Sequence, residues 1–191
     1  MKFCERPWKY WWMMSAEGDV AACPWFTDQK LMIGNILNQS VEEIIQGDIV
    51  KSIQASILDG SFRYCSPQLC TFIGNNTLLD LTEEEINEII QDNLPNEFNI
   101  AYDDTCNHAC PSCREHHFIA NQEYYEKVDK ISEKMIPYFN HAKMISINGR
   151  GEVFASAHLL SMLKRLRPKK EDFRLVIETN GALFDRAHWE Q

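Results

Sequence analysis

The residues best suited to chemistry in this chain are its seven cysteines, which fall into two groups. Cys106, Cys110 and Cys113 form the second group, a C-x-x-x-C-x-x-C run on one short segment. Three thiolates at this spacing can reach a single iron–sulfur cube. A [4Fe–4S] cluster normally takes four protein thiolates, so one iron would stay open to a non-protein ligand. Zinc is the alternative, with His108, His116 or His117 as the fourth ligand.

The first group has four cysteines, which could supply all the protein ligands of one metal or iron–sulfur site. Its four thiolates suit a second [4Fe–4S] cluster. They also suit structural zinc, because Cys65 and Cys70 have the close spacing of zinc ligands. The predicted ligands of this site are Cys4, Cys23, Cys65 and Cys70.

The elements that must position the second group alternate between strand and helix. We predict strands at Phe98–Tyr102, Met144–Ile147 and Leu175–Ile177, with helices over residues 121–136 and 157–166. Repeated strand–loop–helix units favour a parallel sheet with chemistry at the carboxyl ends of the strands. The cysteine run, a Gly149–Glu152 turn and a Thr179–Gly181 turn all follow such ends.

The first part of the chain is turn-rich and has a different pattern. A capping box of Ser40 and Glu43 predicts a helix that ends at Asp59–Gly60. A second capping box, Thr82 with Glu85, predicts a short helix. We therefore divide the chain into a small irregular α+β cysteine-ligated module, a helix with a linker, and an α/β part, at residues 1–75, 76–96 and 97–191.

Composition narrows the classes of partner. The net charge is −9 and basic residues cluster only over residues 164–170, so we expect no nucleic-acid partner. No apolar run approaches the roughly 18 residues that span a bilayer, and the N-terminus lacks a signal-peptide pattern. We therefore expect a cytoplasmic protein with no membrane partner, in which clustered cysteines bind metal rather than form disulfides.

Three motifs in order over about residues 97–191 resemble those of radical S-adenosylmethionine (SAM) enzymes. The cysteine run is similar to the family's cluster motif, Gly149–Glu152 to the Gly/Glu-rich turn that meets the methionine end of SAM, and Thr179–Gly181 to the turn after the third strand. The resemblance implies a partial (β/α) barrel with about three of six strand–helix units. We therefore expect a fragment of a larger catalytic domain, and it is uncertain whether this chain alone is an enzyme.

The same resemblance implies roles for individual residues. Gly149 and Gly151 would let the backbone approach SAM, Glu152 would pair with the SAM ammonium group, and Asn180 would make a polar contact. The N-terminal part is similar to a SPASM or twitch module, the auxiliary-cluster domain of many radical SAM enzymes. Its Cys4, Gly18 and Cys23 follow that module's opening pattern, although the module usually comes after the radical SAM domain.

The resemblance implies a reductive cleavage of SAM to a 5′-deoxyadenosyl radical, which abstracts hydrogen from a substrate. Peptides, proteins and small metabolites are the implied substrate classes, and a flavodoxin or ferredoxin is the implied electron donor. The alternative is a non-catalytic iron–sulfur or zinc module that binds metal or transfers electrons.

Overall fold

The computed structural model describes residues 1–26, 28, 31–148 and 150–189. Its strands are β1 Lys2–Phe3, β2 Tyr10–Met13, β3 Asp19–Ala21, β4 Gly34–Asn35, β5 Leu79–Asp80, β6 Glu97–Ile100, β7 Met144–Ile147 and β8 Arg174–Ile177. Its helices are α1 Arg6–Lys9, α2 Val41–Ile45, α3 Asp48–Leu58, α4 Thr71–Gly74, α5 Glu83–Gln91, α6 Gln122–Phe139, α7 Ala157–Arg165 and α8 Arg186–Trp189. The predicted α/β class is confirmed.

A six-stranded sheet in the order β4-β3-β2-β6-β7-β8 organises the molecule. The predicted parallel pairing of β6, β7 and β8 is confirmed, and β7 has the predicted bounds. The sequence did not predict that β2 would pair in parallel with β6. Strands β3 and β4 then extend the sheet in antiparallel fashion, so the sheet is mostly parallel and includes strands from both ends of the chain.

The four parallel strands end in register at one edge of the sheet. Met13 lies opposite Ile100, Ile100 opposite Ile147, and Ile147 opposite Ile177. The three predicted motifs follow β6, β7 and β8 directly, so all begin at this carboxyl edge. Loops at such an edge are the usual place for ligand binding in α/β sheets.

One apolar core covers the sheet and includes residues from both parts of the chain. Trp11 packs edge-on against Phe98, which in turn packs against Phe139 of α6. Helix α6 also contacts the N-terminal part through polar atoms, because Lys134 Nζ donates to Ile36 O at 2.8 Å. The predicted domain boundaries remain predictions.

The helix predicted between Ser40 and Asp59 is in fact two helices. The Ser40–Glu43 capping box is present at the start of α2. Gly47 then separates α2 from α3, and its N–H donates to Ile44 O at 3.0 Å. Glycine is a poor helix former, and the break leaves Ile49 exposed rather than on the predicted apolar face. The Thr82–Glu85 capping box is present as predicted, at the start of α5.

A second, smaller apolar cluster lies beside the large core. Phe3 and Trp8 stack at 5.1 Å and pack with Ile57 and Ile86, so α5 is held against the N-terminal segment. In the described part of the chain, every helix is too short or too polar to cross a membrane.

Candidate iron–sulfur and cofactor sites

The carboxyl edge of the sheet forms a cavity of about 220 Å³. Each of the three predicted motifs contributes to its wall. The lining residues are Cys106, His108, Cys110, Cys113, Arg114, Arg150, Gly151, Glu152, Glu178, Thr179 and Asn180. Segments that lie far apart in the sequence therefore meet at one site.

The cysteine loop presents its three thiols to this cavity. Cys106 forms a bridge with Phe118, and its N–H donates to Phe118 O at 2.7 Å. The loop turns at its far end, where Cys113 N donates to Cys110 O at 2.8 Å. Cys106 is half-buried, while Cys110 and Cys113 are exposed. The loop is thus anchored at its start and open at its tip.

Two arginines connect this loop to the turn after β7. Arg150 makes a two-point contact with Asp104, with Nε 2.7 Å from Oδ1 and Nη2 3.2 Å from Oδ2. Arg114, directly after the last cysteine, donates to the backbone carbonyls of Asp104 and Arg150. The Arg114 guanidinium therefore ties the end of the loop to its beginning and to the neighbouring turn.

Gly151 lies directly on the backbone that leads into the cysteine loop. A Cβ at this position would be 2.4 Å from Asp103 O and 2.8 Å from Thr105 O. The next residue, Glu152, donates its N–H to Thr105 O at 2.8 Å. Glycine is therefore required here by close approach to the loop, and a contact with SAM remains a prediction. Gly149 lies outside the described residues.

Glu152 is buried and its carboxylate is fully hydrogen-bonded. Its Oε1 accepts from Thr179 Oγ1 at 2.7 Å and from Phe154 N at 3.1 Å, and its Oε2 accepts from Asn180 N at 2.7 Å. Asn180 reaches the cysteine loop in turn, donating from Nδ2 to Asn107 Oδ1 at 3.0 Å. Glu152 thus joins the turns after β7 and β8. Its pairing with the SAM ammonium, and the Asn180 contact, remain predictions.

Glu178 is a cavity residue to which the sequence assigned no role. It is the first residue after β8, and its backbone N donates to Ile147 O at 3.0 Å. Its side chain is exposed and lines the same cavity, with one weak contact from Asn148 Nδ2 at 3.5 Å. The signal was available, because a carboxylate directly after a parallel strand lies at the carboxyl edge.

A buried polar network beneath the cavity was also missed. Tyr102 OH lies 2.6 Å from Ser132 Oγ, which lies 3.1 Å from His158 Nε2. Burial lowers the pKa of His158, although the nearby Asp103 carboxylate opposes this. The network links Tyr102, two residues after the end of β6, to helices α6 and α7.

The cysteines of the other group, in the N-terminal part of the chain, are all at least half-buried. Cys70 is buried, and the other three thiols are half-buried. Burial raises the pKa of Cys23 to about 11 and that of Cys65 to about 12, with further contributions from the neighbouring cysteines. Burial also raises the pKa of Cys4, where Cys70 adds to the effect.

Backbone contacts hold these cysteines on adjoining segments. Phe26 forms a bridge with Cys65, and Ser66 N donates to Trp25 O at 3.1 Å. Cys70 N donates to Ser66 O at 2.8 Å, which brings the last cysteine back toward the third. Trp25 N also donates to Cys23 Sγ at 3.4 Å. Four thiols with amide donors suit an iron–sulfur cluster, whose sulfurs are stabilised by such hydrogen bonds.

The residues that the structure describes contain no preformed metal site, and this applies to the two cysteine groups as well. His116 and His117 are exposed and lie outside the cavity lining, whereas the exposed His108 is part of it. In the same residues, no three His, Cys, Asp or Glu side chains are already arranged to hold a metal ion.

Comparison with known protein families gives one match. Residues 4–71 match the SPASM family, described as an iron-sulfur cluster-binding domain. The match includes Cys4, Cys23, Cys65 and Cys70 and supports the predicted auxiliary module. Comparisons with curated proteins and with solved structures found no match.

Proposed function

We propose that the chain is a radical SAM protein, or the N-terminal portion of one, with an auxiliary iron–sulfur cluster. The observation that supports this most directly is the shared cavity. The cysteine loop, the turn that ends in Glu152 and the turn at Asn180 line it together, although at least 26 residues separate each from the next along the chain. SPASM domains are associated with radical SAM enzymes, so the match at residues 4–71 agrees with the proposal.

In this proposal Cys106, Cys110 and Cys113 hold a [4Fe–4S] cluster whose open iron binds SAM. When bound, the cluster and SAM would supply a reductive cleavage of SAM, with one electron from an external donor and methionine as the leaving group. The protein would position them. Arg114 and Arg150 keep the loop against the turn after β7, and Glu152 keeps the turn after β8 in place.

We assign the contact with the SAM ammonium group to Glu178 in preference to Glu152. The Glu152 carboxylate is 1% exposed and already accepts three hydrogen bonds. Glu178 has an exposed carboxylate in the same cavity, so binding a cation there breaks only one weak contact. Glu152 then acts as a positioning residue.

The auxiliary cluster lies at the other end of the parallel strands, near the start of β2. Cys4 precedes the start of β2, and Cys23 follows β3, which runs antiparallel to β2. The SAM site follows the ends of the parallel strands, and four strand residues span roughly 13 Å. At the other end of the parallel strands, and with four protein thiolates, the auxiliary cluster suits electron transfer better than contact with substrate.

The test is formation of 5′-deoxyadenosine by the anaerobically reconstituted, dithionite-reduced chain. We expect measurable product from the parent chain and none from Cys106→Ala. The matched variant Cys23→Ala removes an auxiliary ligand and should still support the first cleavage event. Equal product from the parent and Cys106→Ala would contradict the proposal.

We propose further that the substrate is a peptide, a protein or a small metabolite. We also propose a cytoplasmic location and a flavodoxin or ferredoxin as the electron donor.

A second candidate is a non-catalytic module that binds iron–sulfur clusters or zinc, or transfers electrons. One observation favours it. Strand β8 is the last strand of the sheet, and Leu175 and Val176 are 41% and 42% exposed. Among the described residues, the sheet is therefore open at β8 rather than closed into a barrel. A cluster-loaded chain that makes no 5′-deoxyadenosine and gives no spectral response to SAM would support this candidate.

A further inference from the structure

A single arginine is enclosed by aromatic rings beside the four-cysteine site. The guanidinium carbon of Arg6 lies 4.4 Å from the ring centroid of Tyr10 and 4.7 Å from that of Trp25. The ring of Phe72 is 5.9 Å away. These distances are in the range of cation–π contacts. Arg6 and Trp25 are half-buried and Tyr10 is buried, so packing against these rings holds the guanidinium in place.

Arg6 lies close to Cys4 along the chain and is linked to Cys23 through Trp25. It follows Cys4 by two residues, and the backbone N–H of Trp25, whose ring it covers, donates to Cys23 Sγ. The Arg6 guanidinium is thus held against the segment that carries Cys23, and it lies close in sequence to Cys4. A fixed positive charge beside a cluster of thiolates favours additional negative charge there.

No carboxylate neutralises Arg6 among the residues that the structure describes, since none of the ion pairs there includes it. Arg63 provides the contrast. It lies two residues before Cys65 and 5.2 Å from the Tyr64 ring, but it pairs with Asp59 at 3.2 Å. Its side chain is about half exposed. Solvent and Asp59 thus screen the charge of Arg63 more strongly than that of the half-buried Arg6.

We propose that Arg6 raises the reduction potential of the iron–sulfur cluster held by Cys4, Cys23, Cys65 and Cys70. This inference rests on the auxiliary cluster of the proposed function. Reduction adds one electron to the cluster and makes it more negative, so a fixed positive charge nearby stabilises the reduced form. Net charge and solvent exposure are known determinants of such potentials. Arg6 is a positioning and electrostatic residue here, not a ligand.

The experiment isolates the auxiliary cluster in the full chain. Cys106, Cys110 and Cys113 are changed to alanine, so that one cluster remains, and its midpoint potential is measured by redox titration with EPR detection. In this parent, Arg6→Gln should lower the potential, and Arg6→Lys should restore most of it because the charge is kept. Arg63→Gln is the matched control and should leave the potential unchanged. Iron and sulfide are counted in every variant.

Four outcomes would overturn the inference. An Arg6→Gln protein with full iron content and the parent's potential would refute it, as would an equal shift in Arg63→Gln. If Arg6→Gln does not retain its iron, Trp25→Leu replaces it, because loss of the ring exposes the guanidinium to solvent. An unchanged potential in that variant would also refute the inference. A parent without a four-iron cluster would instead show that the proposed auxiliary site is wrong, and the inference would fall with it.

Discussion

Replacing Gly151 with alanine tests whether the turn after β7 must lie directly on the cysteine loop. The added Cβ would be 2.4 Å from Asp103 O and 2.8 Å from Thr105 O. Both atoms belong to the backbone, so no side chain can rotate out of the way. The turn must therefore move away from the loop, and the hydrogen bond from Glu152 N to Thr105 O is lost with it.

The expected cost follows from these two contacts. Overpacking of this kind costs about 1 to 3 kcal/mol. The lost backbone hydrogen bond adds about 1 kcal/mol. We therefore expect Gly151→Ala to lower the free energy of unfolding by about 2 to 4 kcal/mol. Because the loop start also moves, iron bound at Cys106, Cys110 and Cys113 should fall in the reconstituted protein, while auxiliary iron stays.

The assay is anaerobic urea unfolding together with iron analysis, and Gly60→Ala is the control. Gly60 has a φ of +72° with open space around it, so alanine there costs about 1 to 2 kcal/mol from backbone strain alone. It should leave cluster loading unchanged. A Gly151→Ala protein with parental stability and full iron content would refute the argument from close approach.

Three further predictions concern the two sites. Glu178→Gln should raise the dissociation constant of SAM by about tenfold, or about 1.4 kcal/mol, with little loss of stability; an unchanged SAM titration would contradict this. Glu152→Gln should lower the free energy of unfolding by about 2 to 3 kcal/mol, because its new amide group faces the Asn180 or Thr179 donor; parental urea unfolding would contradict this. Burial raises the pKa of Cys65 from 9.0 to about 12, so the protonated thiol stabilises the folded, metal-free protein below about pH 9. This stabilisation is lost as the pH rises to about 12. Unfolding between these pH values should therefore depend less on pH in Cys65→Ala, and identical profiles would refute this.

Local patterns in the sequence predicted the C-terminal elements well. The apolar run Met144–Ile147 has the bounds of β7, and both capping boxes begin the helices they predict. The reason is that strand alternation and helix caps depend on residues only a few positions apart. The contribution of β2 to the sheet has no such signal, because Tyr10–Met13 and Glu97–Ile100 pair across more than 80 residues.

The cysteine ligands could be proposed from their spacing, but the side-chain contacts around them could not. The cavity shared by Cys106 and Asn180 depends on strand order, which the alternation of strands and helices indicates. The hydrogen bonds from Thr179 and Asn180 to the Glu152 carboxylate depend on side-chain directions that the motif does not specify. Arg6 was missed for the same reason, because its partners Tyr10 and Trp25 approach it only in the folded chain.

The most direct test of the central claim is EPR spectroscopy of the reduced chain with and without SAM, after iron, sulfide and zinc have been counted. The account predicts roughly eight iron per chain, corresponding to two four-iron clusters. It also predicts a SAM-dependent spectral change that is lost in Cys106→Ala and kept in Cys23→Ala. Zinc in place of iron, or a loaded protein whose spectrum does not respond to SAM, would contradict it.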